Sequence, residues 1–358
     1  MLHLSDLSIG YRKHALLSHI RLSAAEGELV ALIGRNGTGK STLMRTIARL
    51  QPKLSGEVLL SGKPAESYSR SDWAEKLSIV STETVGELHL TVRQLVAFGR
   101  FPYTNWIGKL TEKDIAAVEE AMQLVDMAHL AGKNLHETSD GERQRAMIAR
   151  TLAQDTGVIL LDEPTAYLDM PNKYEVIRLL HHLTRNKGKT IIFSTHDLNI
   201  AMQEADKLWL ITGNRLQEGA PEDMALNRQL EQLFEASSLH FDDSNGEFKI
   251  KRTNLPVVAL YGEGKNAFWT QKALERTGFS VLPGKDDTAA GQENFSVSVS
   301  ERHPPVWTLH RNGEELQADS IFELCRQLNK SVKYPQNIDM KGLTDKSQPI
   351  VSSGQNYA

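Results

Sequence analysis

Three short apolar runs along the chain each end in polar residues. They are residues 29–33 before Gly34, residues 158–161 before Asp162 and residues 191–193 before Ser194. Continuous apolar runs of this length, with helical patterns between them, are typical of buried strands in a parallel sheet. Open parallel sheets bind ligands at the carboxyl ends of their strands. The polar ends of the three runs are therefore predicted to converge on one site.

Two further patterns complete the first part of the chain. Segments 2–9 and 56–62 predict antiparallel strands beside the parallel sheet. Between about residues 91 and 152 the pattern becomes helical, and one predicted face carries Ile115, Val118, Met122 and Val125. The predicted fold class is thus α/β, with an antiparallel β subdomain and a helical subdomain.

Beyond about Arg252 the pattern starts afresh. Residues 256–261 predict a new strand, and residues 306–316 around Asn312-Gly313 predict a hairpin. A small α/β unit is expected here, with Phe268 and Trp269 in its core. The predicted domains are residues 1–252, an accessory α/β domain at 253–332, and a polar, aperiodic tail at 333–358 that is expected to be disordered.

Composition narrows the function classes. The 358-residue chain is 40% hydrophobic, which excludes a disordered or fibrous protein, and its formal net charge of −4 supplies no basic field for nucleic acid. A single cysteine, Cys325, excludes an internal disulfide and favours a reducing compartment. No apolar leader and no apolar run of roughly eighteen residues occurs, so membrane association is expected only through a partner.

A phosphate-binding loop follows the first apolar run. Residues 34–41 match the phosphate-loop pattern without mismatch, after a predicted strand and before a predicted helix. Its glycines let backbone N–H groups surround phosphate oxygens, its lysine reaches the β and γ phosphates, and its serine hydroxyl ligates Mg²⁺. A glycine-rich turn that only caps a helix is the alternative, which the context disfavours. The candidate ATP-binding residues are Gly34, Arg35, Asn36, Gly37, Thr38, Gly39, Lys40, Ser41 and Thr42.

The other two apolar runs supply candidate catalytic residues. Asp162 is placed to hold the Mg²⁺ shell, and Glu163 to orient or deprotonate the attacking water. An apolar run ending in Asp-Glu is by itself often a strand that meets a solvated loop, but the phosphate loop favours the catalytic interpretation. His196 ends the third run, where it would contact the γ phosphate or brace Glu163.

These residues together resemble the ABC ATPase family over roughly residues 2–252. Residues 138–142, Thr-Ser-Asp-Gly-Glu, stand at the place of the family signature, usually written L-S-G-G-Q. Asp169 in Ala-Tyr-Leu-Asp resembles the D-loop, and His196 the switch histidine. The resemblance implies that two copies of the chain enclose two ATP molecules. Each phosphate loop would then face the partner's signature, formed by Ser139, Asp140, Gly141 and Glu142.

The signature segment can also be interpreted without the family, as the start of a helix. Ser139 and Glu142 form a Ser-x-x-Glu capping box before a helical pattern, and the amino terminus of a helix attracts anions. The segment departs from the family pattern, because Asp140 replaces a glycine and Glu142 a glutamine. A carboxylate near an anionic ligand is expected to cost affinity.

Two further positions come from the resemblance. Tyr11 lies where the family places the aromatic residue that stacks on adenine, although packing would explain a tyrosine there equally well. The glutamine of the family's Q-loop is missing, since residues 77–83 read Leu-Ser-Ile-Val-Ser-Thr-Glu. Thr82 aligns best as a ligand of Mg²⁺ or water, and Glu83 is the alternative.

Residues 90–103 resemble the stretch Thr-Val-x-x-Leu-Val-x-x-Gly-Arg-x-Pro of importers for iron-siderophore, haem and cobalamin. The resemblance implies ATP and Mg²⁺ as cofactors, permease subunits as partners, an indirect link to a substrate-binding protein, and a place at the cytoplasmic face of the inner membrane. A soluble ABC ATPase of DNA or translation is disfavoured, because long heptad insertions and a second cassette are missing. A ligand-sensing role for the accessory domain is a third possibility.

Overall fold

The protein is described by a computed structural model. It covers residues 2–12, 14–81, 90–104, 108–234, 239–242, 246–250, 252, 255–284, 295–300, 303–311 and 313–329. Two of the predictions, Thr82 or Glu83 in the Q-loop and the disordered tail at 333–358, fall outside these residues. The chain divides into two compact units, Met1–Ile250 and Lys251–Ala358.

The first unit contains both strands and helices. Its strands are β1 (Leu2–Tyr11), β2 (His14–Ala24), β3 (Leu29–Ile33), β4 (Ser55–Leu60), β5 (Lys63–Pro64), β6 (Leu77–Val80), β7 (Val158–Leu161), β8 (Thr190–Thr195), β9 (Lys207–Thr212), β10 (Arg215–Gly219), β11 (Leu239–Asp242) and β12 (Glu247–Ile250). Its helices are α1 (Lys40–Ile47), α2 (Arg70–Ala74), α3 (Val92–Ala97), α4 (Glu112–Leu124), α5 (Asp140–Ala153), α6 (Met170–Lys187), α7 (Leu198–Glu204) and α8 (Pro221–Leu226).

The central sheet has the strand order β10-β9-β3-β8-β7-β6. Strands β3, β7 and β8 are buried along their whole length, and successive residues face opposite layers. In β3, for example, Ala31 packs in one hydrophobic core and Leu32 in the other. Burial on both faces explains the uninterrupted apolar runs. Because β3, β8 and β7 are parallel neighbours, their polar carboxyl ends meet at one edge, as predicted.

An antiparallel sheet, β2-β1-β4-β5, lies on the second of these cores. The strands predicted at 2–9 and 56–62 are confirmed as β1 and β4, which pair antiparallel. The sequence analysis missed β2, which pairs with β1 through a register shifted at several points. Such irregular pairing disturbs the alternation that a strand normally shows.

The predicted helical insert is formed by α3, α4 and α5. On α4, Val118 and Met122 are buried as the pattern predicted, whereas Ile115 in the first turn is 46% exposed. Between α3 and α4 a 3₁₀ segment, Phe98–Tyr103, packs on the end of α5. There the Arg100 guanidinium donates to Asp114 Oδ1 at 2.9 Å and to Ala153 O at 2.7 Å.

The second unit has its own core. Its elements are β13 (Val257–Tyr261), α9 (Gly264–Arg276), β14 (Ser280–Pro283), β15 (Phe295–Val299), β16 (Trp307–Arg311), β17 (Glu314–Ala318) and α10 (Ile321–Asn329). The sheet order is β14-β13-β15-β16-β17, and β16 and β17 form the predicted hairpin. The expectation that Phe268 and Trp269 belong to the core is wrong, because they are 52% and 62% exposed. They lie on α9, whose core face is formed instead by small residues and Leu274.

Among the described residues, no helix is both long enough and apolar enough to cross a membrane.

Candidate active site

The predicted phosphate loop connects β3 to α1 at the edge where the strand ends meet. Gly37 and Gly39 have φ angles of 78° and 103°, a region that disfavours side chains. A Cβ on Gly34 would lie 2.8 Å from Thr38 Oγ1 and 2.9 Å from Ile211 Cβ. Gly37 and Gly39 are thus needed for their backbone conformation, and Gly34 is needed because no side chain fits there. These three glycines allow the loop to curve tightly before α1 begins.

Lys40 points back into this loop. Its side chain is 6% exposed, and Nζ donates to Gly34 O at 2.8 Å and to Arg35 O at 3.3 Å. Burial lowers the pKa of Lys40, while the charges of Glu163 and Asp162 oppose that shift. An ammonium group that is poorly hydrated and held by two neutral carbonyls is well suited to contact a phosphate.

The remaining predicted loop residues differ in exposure. Arg35, Asn36 and Ser41 are exposed, whereas Thr42 is 5% exposed. The Tyr11 hydroxyl forms a hydrogen bond with Thr42 Oγ1 at 3.1 Å. The Tyr11 side chain is 55% exposed, so its ring remains accessible beside the phosphate loop.

Asp162 and Glu163 are fixed by a residue that the sequence analysis did not single out. Ser194, at 0% exposure, donates its hydroxyl to Asp162 Oδ1 at 2.6 Å and accepts the backbone N–H of Glu163 at 2.9 Å. One buried hydroxyl thus holds the carboxylate of the first residue and the backbone of the second. The only sequence signal was the position of Ser194 near the end of an apolar run.

Glu163 lies in a constrained conformation next to His196. Its φ angle of 51° is unusual for a residue with a long side chain. The Glu163 carboxylate contacts His196 Nε2, and the two side chains are 27% and 43% exposed. Of the two roles predicted for His196, bracing Glu163 is the one that this contact favours.

The signature segment forms the start of α5. Ser139 is the N-cap: its Oγ accepts the Glu142 N–H at 3.2 Å, and Glu142 Oε2 accepts the Ser139 N–H at 2.9 Å. The predicted capping box is confirmed. Lys133 Nζ donates to the same Glu142 oxygen at 3.1 Å, a contact that sequence reasoning missed. Asp140 is exposed in the first turn.

Asp169, the predicted D-loop residue, begins α6. Its Oδ1 accepts the backbone N–H of Asn172 at 3.1 Å and the Asn172 side-chain amide at 2.6 Å. A Cβ on Gly141 would lie 3.0 Å from Asn172 Oδ1, so the signature and the D-loop segment are in contact within one chain. No pattern in the sequence marked Asn172 for this contact.

The fold and this edge of the sheet define a P-loop nucleotide hydrolase, and comparison with known proteins gives its family. Residues 17–166 match the ABC transporter family, and residues 255–329 match the iron ABC transporter C-terminal domain. An uncharacterized ABC transporter ATP-binding protein of Methanocaldococcus jannaschii is 38% identical over 75% of this chain and 93% of its own length. This chain belongs to the family of ABC transporter ATP-binding proteins, and it is an ATPase.

Two further proteins are similar to parts of the chain. One is named as a probable siderophore transport system ATP-binding protein of Bacillus subtilis and is 41% identical over 61% of this chain and 80% of its own length. The other is a solved structure, CbiO1 of Clostridium perfringens, part of the ABC transporter complex CbiONQ. It is 31% identical over 64% of this chain and 92% of its own, with a TM-score of 0.56.

Proposed function

We propose that this chain hydrolyses ATP for an importer that carries siderophore-bound iron through a separate permease. The observation that carries the proposal is the match of residues 255–329 to the iron ABC transporter C-terminal domain in the same chain as an ABC cassette. The name of the Bacillus relative supports the same cargo. Siderophore-bound iron is therefore preferred to haem and cobalamin, the other cargoes that residues 90–103 suggested.

In this proposal Lys40 binds the β and γ phosphates of ATP, and Tyr11 stacks on adenine. The chain's oxygen atoms also suit Mg²⁺, which favours carboxylate and hydroxyl ligands together with phosphate. Asp162, buried with its Oδ1 already held by Ser194, and the exposed Ser41 hydroxyl would hold it. Mg²⁺ would neutralise charge on the phosphates. Glu163 takes the proton of the attacking water, and His196 keeps its carboxylate in place.

The complete site requires two copies of the chain. The signature lies at the amino terminus of α5, a helix of 14 residues whose first N–H groups favour an anion. In the proposal it closes over ATP bound to the partner, with Ser139 and Gly141 facing the γ phosphate. ATP then joins the copies, and hydrolysis separates them.

A cleft in the first unit supports a permease as partner. A cavity of 420 Å³ is lined by residues that include Arg49, Arg70, Trp73 and Gln154. Trp73 is 3% exposed, and its indole N–H has no acceptor within the described residues. The partly apolar wall, with the guanidinium groups of Arg49 and Arg70 beside it, suits a short helix that brings acceptor oxygens. Docking there would place the chain at the cytoplasmic face of the inner membrane, with the substrate-binding protein as an indirect partner.

An uptake assay tests the proposed function. In cells that depend on this chain, Lys40→Ala is expected to abolish uptake of a labelled iron-siderophore complex, because the contact to the β and γ phosphates is lost. Lys187→Ala, at an exposed ion pair with Glu120, serves as the control and should support normal uptake. Loss of haem or cobalamin uptake with normal siderophore uptake would contradict the cargo. Normal siderophore uptake by cells carrying Lys40→Ala would contradict the proposal that ATP hydrolysis at this site powers transport.

A further inference from the structure

The signature segment carries an electrostatic problem. Its first turn contains two carboxylates, Asp140 and Glu142, at the place where the proposed function requires a triphosphate to bind. Like charges repel, and the repulsion is strongest where water is excluded, as between two closed subunits. In the single chain Asp140 is exposed, and solvent and salt screen its charge there. Glu142 is more enclosed, with a side chain 23% exposed, so its charge needs a partner.

Lys133 supplies that partner. Its Nζ lies 3.1 Å from Glu142 Oε2, and the Lys133 side chain is 33% exposed. The backbone N–H of Ser139 and the Lys133 ammonium both lower the pKa of Glu142, in that order of size. The carboxylate is therefore ionised at neutral pH and its charge is met by a fixed cation.

The position of Lys133 is set by its backbone as well. Its carbonyl oxygen accepts the N–H of Val92 at 3.0 Å, where α3 begins. The residue is thus anchored to a neighbouring helix and does not depend on Glu142 for its place. This backbone contact places Lys133 beside the start of α5, from where its side chain reaches Glu142.

We infer that Lys133 is the counter-ion of the acidic signature, which neutralises Glu142 so that the start of α5 accepts the partner's ATP. The inference rests on the proposed two-chain site. Lys133 acts through Glu142 and is a positioning residue, not a catalytic one. A glutamine in place of Glu142 would keep the capping box without the charge, and the need for Lys133 would disappear.

This dependence separates the inference from a purely structural role for Lys133. If Lys133 only held the loop before α5, its removal would do equal harm whichever residue occupies position 142. If it compensates charge, its removal does harm only while Glu142 is present. A double-mutant cycle measures that difference directly.

The experiment uses the full chain with Glu163→Gln, which is expected to bind ATP without turning it over. The dissociation constant of the ATP-bound dimer is measured by light scattering over a range of chain concentrations. Lys133→Met should raise it roughly tenfold, the size of losing one partly exposed hydrogen bond to a charged group. Combined with Glu142→Gln, the same change should cost less than about threefold. Lys187→Met removes the same charge at the exposed pair with Glu120 and controls for net charge.

Two outcomes would contradict the counter-ion role of Lys133. Equal weakening by Lys133→Met with Glu142 and with Glu142→Gln, or no weakening at all, would overturn the counter-ion role while leaving the two-chain site intact. A Glu163→Gln parent that binds ATP but stays monomeric at every concentration would overturn the two-chain site and this inference with it. Thermal unfolding without ATP shows that every variant is folded.

Discussion

At the scale of single residues, the candidate site depends on contacts between segments far apart in sequence. Asp162 and Glu163 were predictable, because carboxylates directly after a buried strand lie at the ligand edge of a parallel sheet. The role of Ser194 was not, because it depends on strand register. Leu161 of β7 pairs with Phe193 of β8, and this pairing sets the next residues, Asp162 and Ser194, side by side. Lys133 and Asn172 also escaped prediction, because their contacts with Glu142 and Gly141 join loop and helix residues that no sequence pattern pairs.

Ser194→Ala tests this arrangement. It removes the donor to Asp162 Oδ1 and leaves the Glu163 N–H without its acceptor. Losing such hydrogen bonds typically costs about 1–3 kcal/mol, so kcat should fall roughly tenfold to a hundredfold. More Mg²⁺ should be required for half-maximal activity, while KM for ATP changes little. Steady-state ATPase assays at varied ATP and Mg²⁺ measure all three quantities.

Ser194→Thr is the matched control, because it keeps the hydroxyl and adds one methyl group. It should restore most of the activity and the original Mg²⁺ requirement. Equal losses in both variants would mean that packing around this position matters, and the hydroxyl does not.

At the scale of elements, the importer-like stretch at residues 90–103 lies partly inside the helical subdomain. In the 3₁₀ segment Phe98–Tyr103, Gly99 packs so closely on α5 that a Cβ would lie 2.1 Å from Arg150 O. Arg100 is 8% exposed and paired with Asp114, whereas Phe101 is 56% and Tyr103 37% exposed. The helices themselves were predictable from their apolar period. Close backbone approach was not, because a glycine in a sequence does not reveal what lies against it.

Gly99→Ala should destabilise the first unit. The new methyl group cannot be accommodated without moving the 3₁₀ segment away from α5, and such overpacking typically costs about 1–3 kcal/mol. Urea unfolding followed by circular dichroism measures the change in the free energy of unfolding. Gly132→Ala is the control, since a Cβ there meets nothing within 4 Å. If Gly99→Ala were as stable as this control, the close contact of Gly99 with α5 would not contribute to the free energy of unfolding.

At the scale of the whole molecule, each unit has a separate hydrophobic core. The first unit's larger core extends to Leu230, Leu233 and Phe241, and Phe248 packs against it. The second unit's core begins at Val258 and is closed by its own helices. The sequence indicated the change near residue 252 through a new strand pattern, but not which short strands belong to which core. The pairing of β11 with β12 and the contact of Phe241 with Phe248, with ring centroids 5.0 Å apart, attach these strands to the first unit.

A chain truncated after Ile250 should therefore fold and hydrolyse ATP at a rate comparable to the full chain. It keeps the whole first core and every candidate site residue, and it loses the second unit with its separate core. A chain ending at Leu226, the last residue of α8, is the control. It also lacks Leu230, Leu233 and Phe241, and each buried side chain of this kind contributes about 2–5 kcal/mol. The control should thus melt at a much lower temperature or fail to fold. Thermal unfolding and ATPase assays on both proteins test the division. If the chain ending at Ile250 folded but did not bind ATP, nucleotide binding would depend on the second unit.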